Sequence, residues 1–216
     1  MLVLGEWLLT PARAAVHVPT RTAVVADLHL GYDRVRRRGG EAVPARPLSA
    51  ELALLGDLLA RQGLRRLVIA GDLFEDGRCQ REEVVEELLG WLAQAGVELA
   101  GVVPGNHDRG LGSSRLPVCP QGVELGGWRV VHGDGERPAG PVVQGHEHPC
   151  LRWRPGVEGP CFLVALGHLV LPAYSRDAAG GNVLGRARWA GYRCCAIAGE
   201  AVLDFGAVGD LRWSRG

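Results

Sequence analysis

The chain has 216 residues, 47% of them apolar, and its 24 basic residues, all arginine, balance 24 acidic residues to a formal net charge of zero. No run of 18 apolar residues is present, which excludes a transmembrane helix, and the neutral balance provides no global field that attracts nucleic acid. The absence of lysine excludes a P-loop nucleotide site and any Schiff-base mechanism. Phosphate chemistry would therefore have to use metal ions.

Apolar runs alternate with helical patterns along the first half of the chain. The patterns predict strands at 7–9, 14–18, 22–26, 67–70 and 97–103, and helices at 48–61 and 81–95. From Gly122 onward, short strands separated by glycine and proline dominate. We expect an α/β fold in which two sheets pack face to face with helices outside the early sheet, as a single domain over residues 1–216.

Five short segments follow directly after buried-strand runs and carry oxygen and nitrogen ligands. They are Asp27-Leu28-His29, Gly71-Asp72, Gly105-Asn106-His107-Asp108, His132-Gly133-Asp134 and Gly145-His146-Glu147-His148. Because strand ends meet at one edge of a sheet, these ligands should gather there, with a face left open to substrate. On an extended strand end, Asp27 and His29 would point to the same side, and so would His146 and His148.

The residue types in these segments are those that hold two divalent metal ions. A carboxylate can bridge two hard cations that are roughly 3.5–4 Å apart, and such a pair polarises water and neutralises phosphate oxygens. Imidazole combined with carboxylate suits Mn, Fe or Zn better than Mg or Ca. Taken singly, each segment has another reading, such as a turn former, a helix cap or a loop histidine. The ordered set of five, which holds five of the seven histidines, favours the metal site.

The five segments resemble the blocks D-x-H, G-D, G-N-H-D, H and G-H-x-H of the calcineurin-like metallophosphoesterases. Residues 26–32, 40–44, 71–74 and 145–149 look like the small bacterial and archaeal subfamily often encoded beside a DNA ligase, related to the archaeal Icc proteins. Residues 160–162, 169–174 and 180–181 extend this resemblance, so that it covers about residues 4–205. It implies a four-layer αββα sandwich of two mixed sheets.

The resemblance assigns a role to each candidate site residue. It implies that Asp27, His29, Asp72 and His148 hold one metal, and that Asp72, Asn106, His132 and His146 hold the second, with Asp72 bridging. It also implies that His107 faces the substrate phosphate and that Asp108 orients it. A histidine flanked by a ligand asparagine and a carboxylate is well placed to donate a proton. Two divalent ions are the expected cofactor, with Mn expected first and Fe or Zn as alternatives.

Two positions depart from the subfamily pattern. The related enzymes usually carry histidine after Asp-Leu-Phe, where this chain has Glu75-Asp76, and phenylalanine where it has Tyr174. Neither position is a predicted ligand. We therefore expect these changes to affect the choice of substrate and not the binding of metal.

The arginines and cysteines leave alternatives open. Arg34, Arg36, Arg37 and Arg38 follow the first metal segment and Arg109 follows the third, so they form either a solvated helix face or a cluster that grips phosphate oxygens. The six cysteines (Cys79, Cys119, Cys150, Cys161, Cys194 and Cys195) show no C-x-x-C spacing and predict thiols in a reducing compartment. On a strand, Cys194 and Cys195 would point to opposite faces.

The resemblance implies a dimetal phosphodiesterase, a nuclease acting on DNA with a role in DNA repair, in which metal-bound hydroxide attacks phosphorus in line. The alternatives are a phosphomonoesterase, a phosphodiesterase of small molecules or cyclic nucleotides, and, in another class, a non-catalytic scaffold that binds proteins. A DNA ligase, helicase or exonuclease is an expected functional partner. We expect a cytoplasmic protein without membrane association, and the sequence does not specify its oligomeric state.

Overall fold

Two mixed β-sheets that face each other form the centre of this computed structural model, which describes residues 1–76 and 81–211. The six strands of the first sheet follow one another in chain order: β1 (Leu2–Leu4), β2 (Trp7–Leu9), β3 (Ala15–His17), β4 (Thr22–Val25), β5 (Arg66–Ala70) and β6 (Glu98–Val103). Neighbours from β1 to β4 are antiparallel, whereas β4, β5 and β6 are parallel. The carboxyl ends of these last three strands therefore lie at one edge.

The second sheet has nine strands from the later half of the chain. They are β7 (Val123–Leu125), β8 (Trp128–Val131), β9 (Val142–Gln144), β10 (Pro149–Arg154), β11 (Val157–Ala165), β12 (His168–Val170), β13 (Gly181–Asn182), β14 (Arg193–Ala198) and β15 (Ala201–Ala207). Strand β9 is parallel to both of its neighbours, β8 and β12. The carboxyl ends of β8 and β9 consequently lie side by side.

The helices belong to the outer face of the first sheet. They are α1 (Tyr32–Arg38), α2 (Leu48–Glu51), α3 (Ala53–Gln62) and α4 (Arg81–Ala95). The outer face of the second sheet is covered instead by loops that contain two short 3-10 turns, Ala187–Trp189 and Val208–Asp210. The predicted α/β class with two mixed sheets is confirmed.

Alternation along the strands separates the buried residues into layers. In β5, Leu67 and Ile69 pack with the helices, whereas Val68 and Ala70 pack against the second sheet. A slip of one residue in the pairing would exchange these two faces, so the burial of both fixes the register. The same alternation places Cys195 between the sheets and Cys194 on the outer side of the second sheet, which confirms the opposite orientation expected for this pair.

The predicted elements agree with the structure except at three places. The first twenty residues contain three strands and not two, because β1 precedes the predicted pair. Helix α1 was not among the predicted elements, although a helix face was one of the two readings of its arginines. The helix predicted at 48–61 is divided at Leu52, because the hydroxyl of Tyr174 is inserted into it: the hydroxyl donates to the carbonyl of Glu51 and accepts from the N–H of Leu55. A side chain inserted into the backbone ladder in this way is a known cause of helix breaks.

The remaining sequence expectations concern cysteines and membranes. Cys119, Cys150, Cys161, Cys194 and Cys195 are free thiols, and the last three are buried. Cys79 lies outside the described residues. None of the helices in the described part of the chain is long and apolar enough to cross a bilayer.

Candidate metal centre

The predicted ligands meet at the edge where the parallel strands of both sheets end. Strands β4, β5 and β6 lead into the segments that begin at residues 27, 71 and 105, and β8 and β9 lead into those at 132 and 145. The segments are joined by main-chain hydrogen bonds, such as that from the N–H of Asp27 to the carbonyl of Gly71 (3.0 Å) and that from Gly145 to His132 (3.0 Å). Two rigid sheets thus hold the ligand-bearing loops against each other.

Two groups of possible metal ligands form at this edge and share Asp72. One consists of His29, Asp72 and His148, and the other of Asp72, His132 and His146; within each group the ligand atoms lie within 4.8 Å of one another. Asp72 is buried, with Oδ2 lying 3.6 Å from Nε2 of His132. A carboxylate in this place can serve two cations at once.

Asp27 and Asn106 each lie beside one of the two groups. Oδ2 of Asp27 lies 3.5 Å from Nε2 of His148, and Oδ1 of Asn106 lies 3.1 Å from Nε2 of His132. That imidazole nitrogen is also 3.1 Å from Nδ1 of His146. Ligands held about 2.1 Å from one ion are separated from each other by roughly 3–3.5 Å, so the distances within each group match a coordination shell around one ion.

Buried polar atoms without partners give an independent test of whether the residues fit a metal. Oδ1 of Asp27, Nε2 of His29 and Nε2 of His148 are each buried and accept or donate no hydrogen bond within the described part of the chain. An orphaned buried polar atom costs about 1–3 kcal/mol, which a cation at the shared edge would offset. The donor set of imidazole, carboxylate and amide oxygen therefore fits a divalent transition metal.

The backbone at the ligands is not extended, which corrects the backbone conformation that was expected at the two spaced pairs. Asp27, His29, Asp72, His146 and His148 all have positive φ, between 41° and 66°, and they make up five of the seven non-glycine residues with this conformation in the described chain. Strand β4 ends at Val25 and β9 at Gln144, so left-handed turns bring the ligands together. His146 and His148 consequently belong to different groups. Such strain is held where the surroundings over-determine the backbone, as at functional sites.

The glycines that precede Asp72 and Asn106 are required by close approach. A Cβ added to Gly71 would lie 1.9 Å from Nδ1 of His132, and one added to Gly105 would lie 2.2 Å from Oδ1 of Asp72. Both distances are far below van der Waals contact. The Gly-Asp and Gly-Asn-His-Asp patterns therefore reflect the crowding of ligands as well as turn geometry.

His107 is held beside the first group by a partner that the sequence did not predict. Its ring lies 5.1 Å from the ring of His29, and its Nδ1 lies 2.7 Å from the main-chain carbonyl of Glu75. Because a carbonyl only accepts, Nδ1 must carry the proton. The main-chain N–H of His107 also donates to Oδ1 of Asp72 (2.9 Å).

Asp108 does not orient the His107 ring directly, which corrects the role implied by the resemblance. Its carboxylate accepts three main-chain hydrogen bonds, from Leu73 (3.1 Å), Phe74 (3.1 Å) and Gly105 (2.9 Å), and so ties the loop after β5 to the loop after β6. Burial raises the pKa of Asp108, and these three N–H groups partly oppose the shift. Its place in the structure is that of a brace between two ligand loops.

Electrostatics at the edge favour a cation. Burial by itself lowers the pKa of His148, but the carboxylates of Asp27 and Asp72 outweigh burial, so its pKa is raised. The same negative field that stabilises a proton on this imidazole also attracts a divalent ion. Because a metal ligand must be unprotonated, metal and proton compete for the site.

The predicted arginines lie on α1 and on the loop after Asp108. Arg34 is paired with Glu87 (2.6 Å) and Glu83 (3.5 Å), and Arg36 with Glu41 (3.1 Å). Arg37, Arg38 and Arg109 are exposed. Arg34 and Arg36 are thus paired with carboxylates, and Glu87, one partner of Arg34, lies 53 positions further along the chain.

Two further residues support the ligand loops and were not singled out from the sequence. Arg188 forms a two-pronged ion pair with Glu147, the residue between His146 and His148. Arg13 donates to the carbonyl of Ser175 (2.6 Å), whose N–H in turn donates to the carbonyl of Asp27 (3.1 Å). Both contacts join residues more than 40 positions apart, and local sequence patterns carry no signal for them.

Glu75 and Tyr174, the two departures noted in the sequence, have defined places. Oε2 of Glu75 lies 3.0 Å from Nδ1 of His29, in contact with a candidate ligand. Tyr174 is buried in the break between α2 and α3, and burial raises its pKa to about 12. At Tyr174 the structure gives no support to the expected effect on substrate choice, because the hydroxyl of Tyr174 bonds to the main chain of a helix.

The fold is shared with a solved structure. The chain superimposes on the crystal structure of the Pseudomonas putida nuclease MPE with a TM-score of 0.71 and 23% sequence identity, over 92% of this chain and 94% of that chain. No protein-family model and no curated protein matches the sequence. At this identity the likeness establishes the architecture.

Proposed function

We propose that this chain is a divalent-metal-dependent phosphodiesterase that cleaves DNA. The observation that carries the proposal is the pair of histidine and carboxylate groups that share the buried Asp72, with His107 beside them. A pair of metal groups bridged by one carboxylate is suited to displacement at phosphorus. The likeness of the fold to a bacterial nuclease and the resemblance of the five ligand segments to the metallophosphoesterases support it.

Each residue then has a chemical task. Asp27, His29, Asp72 and His148 would hold one ion, and Asp72, Asn106, His132 and His146 the other. Divalent ions, with Mn as the proposed metal, would supply positive charge against phosphate oxygens and make water more acidic. His107 keeps its Nδ1 proton on the carbonyl of Glu75, so in the imidazolium form Nε2 carries a second proton. His107 would give this Nε2 proton to the departing oxygen and return to the neutral ring with its proton on Nδ1.

The preference for a phosphodiester of DNA is the finer part of the proposal. Arg37 and Arg109 are exposed and follow the first and third ligand segments along the chain, where they would contact flanking phosphates of a polymer. A small diester has no flanking phosphates and would not use them. Arginine contacts of this kind affect binding of a polymer more than the chemical step.

Metal-dependent turnover tests the proposal directly. We expect the protein to hydrolyse bis(p-nitrophenyl) phosphate and single-stranded DNA with Mn²⁺ and to be inactive with a chelator. Asp72→Asn should lose most bound metal and nearly all turnover, because both groups lose their shared anionic ligand. Asp57→Asn, at an exposed position on α3, is the matched control and should behave as the wild type.

The substrate panel separates the remaining alternatives. Single-stranded DNA, duplex DNA, RNA, cyclic dinucleotides and monoesters should be compared under Mn²⁺. Faster turnover of monoesters than of DNA would indicate a phosphomonoesterase, and faster turnover of cyclic dinucleotides would indicate a cyclic-nucleotide phosphodiesterase. Tight metal binding without turnover of any phosphoester would favour the non-catalytic scaffold.

Salt dependence tests the proposed arginine contacts. Replacing Arg37 and Arg109 with glutamine should flatten the slope of log K against log salt for single-stranded DNA by about 0.7 per lost phosphate contact. Arg61→Gln, which removes an exposed arginine from α3, is the control. An unchanged slope in the double variant would assign these arginines to a solvated surface.

A further inference from the structure

Glu75 is a carboxylate at the candidate metal centre that the metal groups described above do not include. It follows Gly71-Asp72-Leu73-Phe74, and Oε2 lies 3.0 Å from Nδ1 of His29. The side chain is 25% exposed, whereas that of His29 is 7% exposed. The contact is at ion-pair distance and is not aligned as a full hydrogen bond.

The main chain of Glu75 is fixed at both of its polar atoms. Its N–H donates to the carbonyl of Leu30 (3.1 Å), and its carbonyl lies 2.7 Å from Nδ1 of His107. The segments around Leu30 and Phe74 also form a parallel bridge. Glu75 therefore cannot drift from the site, and it touches both a candidate ligand and the candidate proton donor.

The two nitrogens of His29 have different surroundings. Nδ1 faces the Glu75 carboxylate, whereas Nε2 is buried and has no hydrogen-bond partner in the described chain. A carboxylate can only accept, so its approach to 3.0 Å from Nδ1 favours the tautomer with the proton on Nδ1, which leaves the Nε2 lone pair available to a cation. Carboxylates that hold metal-binding histidines in this way fix the ring and increase its basicity.

We propose that Glu75 is a positioning residue of the metal centre, whose carboxylate holds His29 with Nε2 directed to a divalent ion while its main-chain carbonyl holds His107. The inference rests on the proposed function, because it requires a metal at His29. It differs from the expectation drawn from sequence, which connected Glu75 with substrate choice alone. The side chain and the main chain of one residue thus serve two different histidines.

Calorimetric titration of the metal-free protein with Mn²⁺ tests the side-chain part. Glu75→Ala should weaken one of two metal sites by about 10- to 100-fold and leave the other, at His132 and His146, unchanged. Glu75→Gln should fall between the wild type and the alanine variant, since its amide oxygen still accepts a hydrogen bond. Glu87→Ala, which removes an exposed glutamate paired with Arg34, is the control. Circular dichroism verifies that each variant is folded.

The split between side chain and main chain gives a second readout. Because the carbonyl at residue 75 remains in Glu75→Ala, the dependence of its rate on leaving-group acidity should match that of the wild type. A purely structural defect would disturb His107 as well. A changed leaving-group dependence with unchanged metal affinity would overturn the proposal.

Nuclear magnetic resonance of the Zn²⁺-loaded wild type needs no variant. Nitrogen-proton correlation spectra should show His29 protonated at Nδ1 and metal-bound at Nε2. A His29 that binds through Nδ1 overturns the inference, and so do two unaltered metal sites in Glu75→Ala. If the wild-type protein binds no metal, the proposed function is wrong. If the protein has no nuclease activity but Glu75→Ala still loses metal affinity, the positioning role of Glu75 remains supported.

Discussion

Substitution of Gly105 by alanine tests whether the two ligand loops are held as closely as the structure shows. The new Cβ would lie 2.2 Å from Oδ1 of Asp72 and 2.5 Å from its main-chain nitrogen. The backbone of Gly105 is not in the left-handed region, so conformational strain at residue 105 does not contribute. Any effect therefore reports the contact with Asp72.

The size of the effect follows from the overlap. Ordinary contact begins at 3.4 Å, so relief of the 2.2 Å approach requires Asp72 and residue 105 to separate by about 1 Å. Overpacking of this kind costs about 1–3 kcal/mol of stability, and a misplacement of about 1 Å at a reacting centre costs about 10²-fold in rate. Asp72 belongs to both metal groups, so the affinity of both should fall.

Gly112→Ala is the matched control. Gly112 lies in the 3-10 turn Leu111–Ser113, where an added Cβ meets nothing within 4 Å. Both substitutions reduce the freedom of the unfolded chain equally, a gain of about 0.4–1 kcal/mol, so their difference isolates the contact. Thermal unfolding, Mn²⁺ titration and diester turnover should be measured on both. Equal metal affinity and equal turnover in the two variants would refute the close approach of Gly105 to Asp72.

Three further predictions concern the proton donor and two buried groups. His107→Ala should keep its bound metal and lose about 10²- to 10⁴-fold in rate on DNA, with a smaller loss on p-nitrophenyl esters; an equal loss on both would exclude proton donation. Tyr174→Phe should lower the free energy of unfolding in urea by about 1 kcal/mol, because the N–H of Leu55 and the carbonyl of Glu51 lose the hydroxyl that bridges them. Wild-type stability in this variant would contradict the prediction and would indicate direct hydrogen bonding across the break. Burial raises the pKa of the Glu51 carboxyl to about 7 from 4.5, although Arg46 opposes the shift, so stability present below pH 4.5 is lost as pH rises toward 7. Glu51→Gln should therefore match the wild type at pH 4 and exceed its melting temperature at pH 8; equal differences at both pH values would contradict this.

The sequence by itself determined which residues can bind metal and that they lie at the ends of strands. Few residue types bind metal ions, so histidine, aspartate and asparagine placed after apolar runs are enough to identify the five candidate ligand segments in the sequence. Helix α4 was predicted with its observed bounds, Arg81–Ala95, because its apolar residues recur at the helical period. Alternation along β5 likewise reflects two buried faces.

The tertiary structure decided how the ligands converge and what holds them. Left-handed turns at Asp27 and His148 replaced the extended geometry expected from spacing, because packing between loops outweighs the local preference of the backbone. The break in the helix at Leu52 depends on Tyr174, which lies 119 positions after Leu55. No sequence pattern identifies a glutamate as the partner of a particular histidine, so the contact between Glu75 and His29 was seen only in the folded structure.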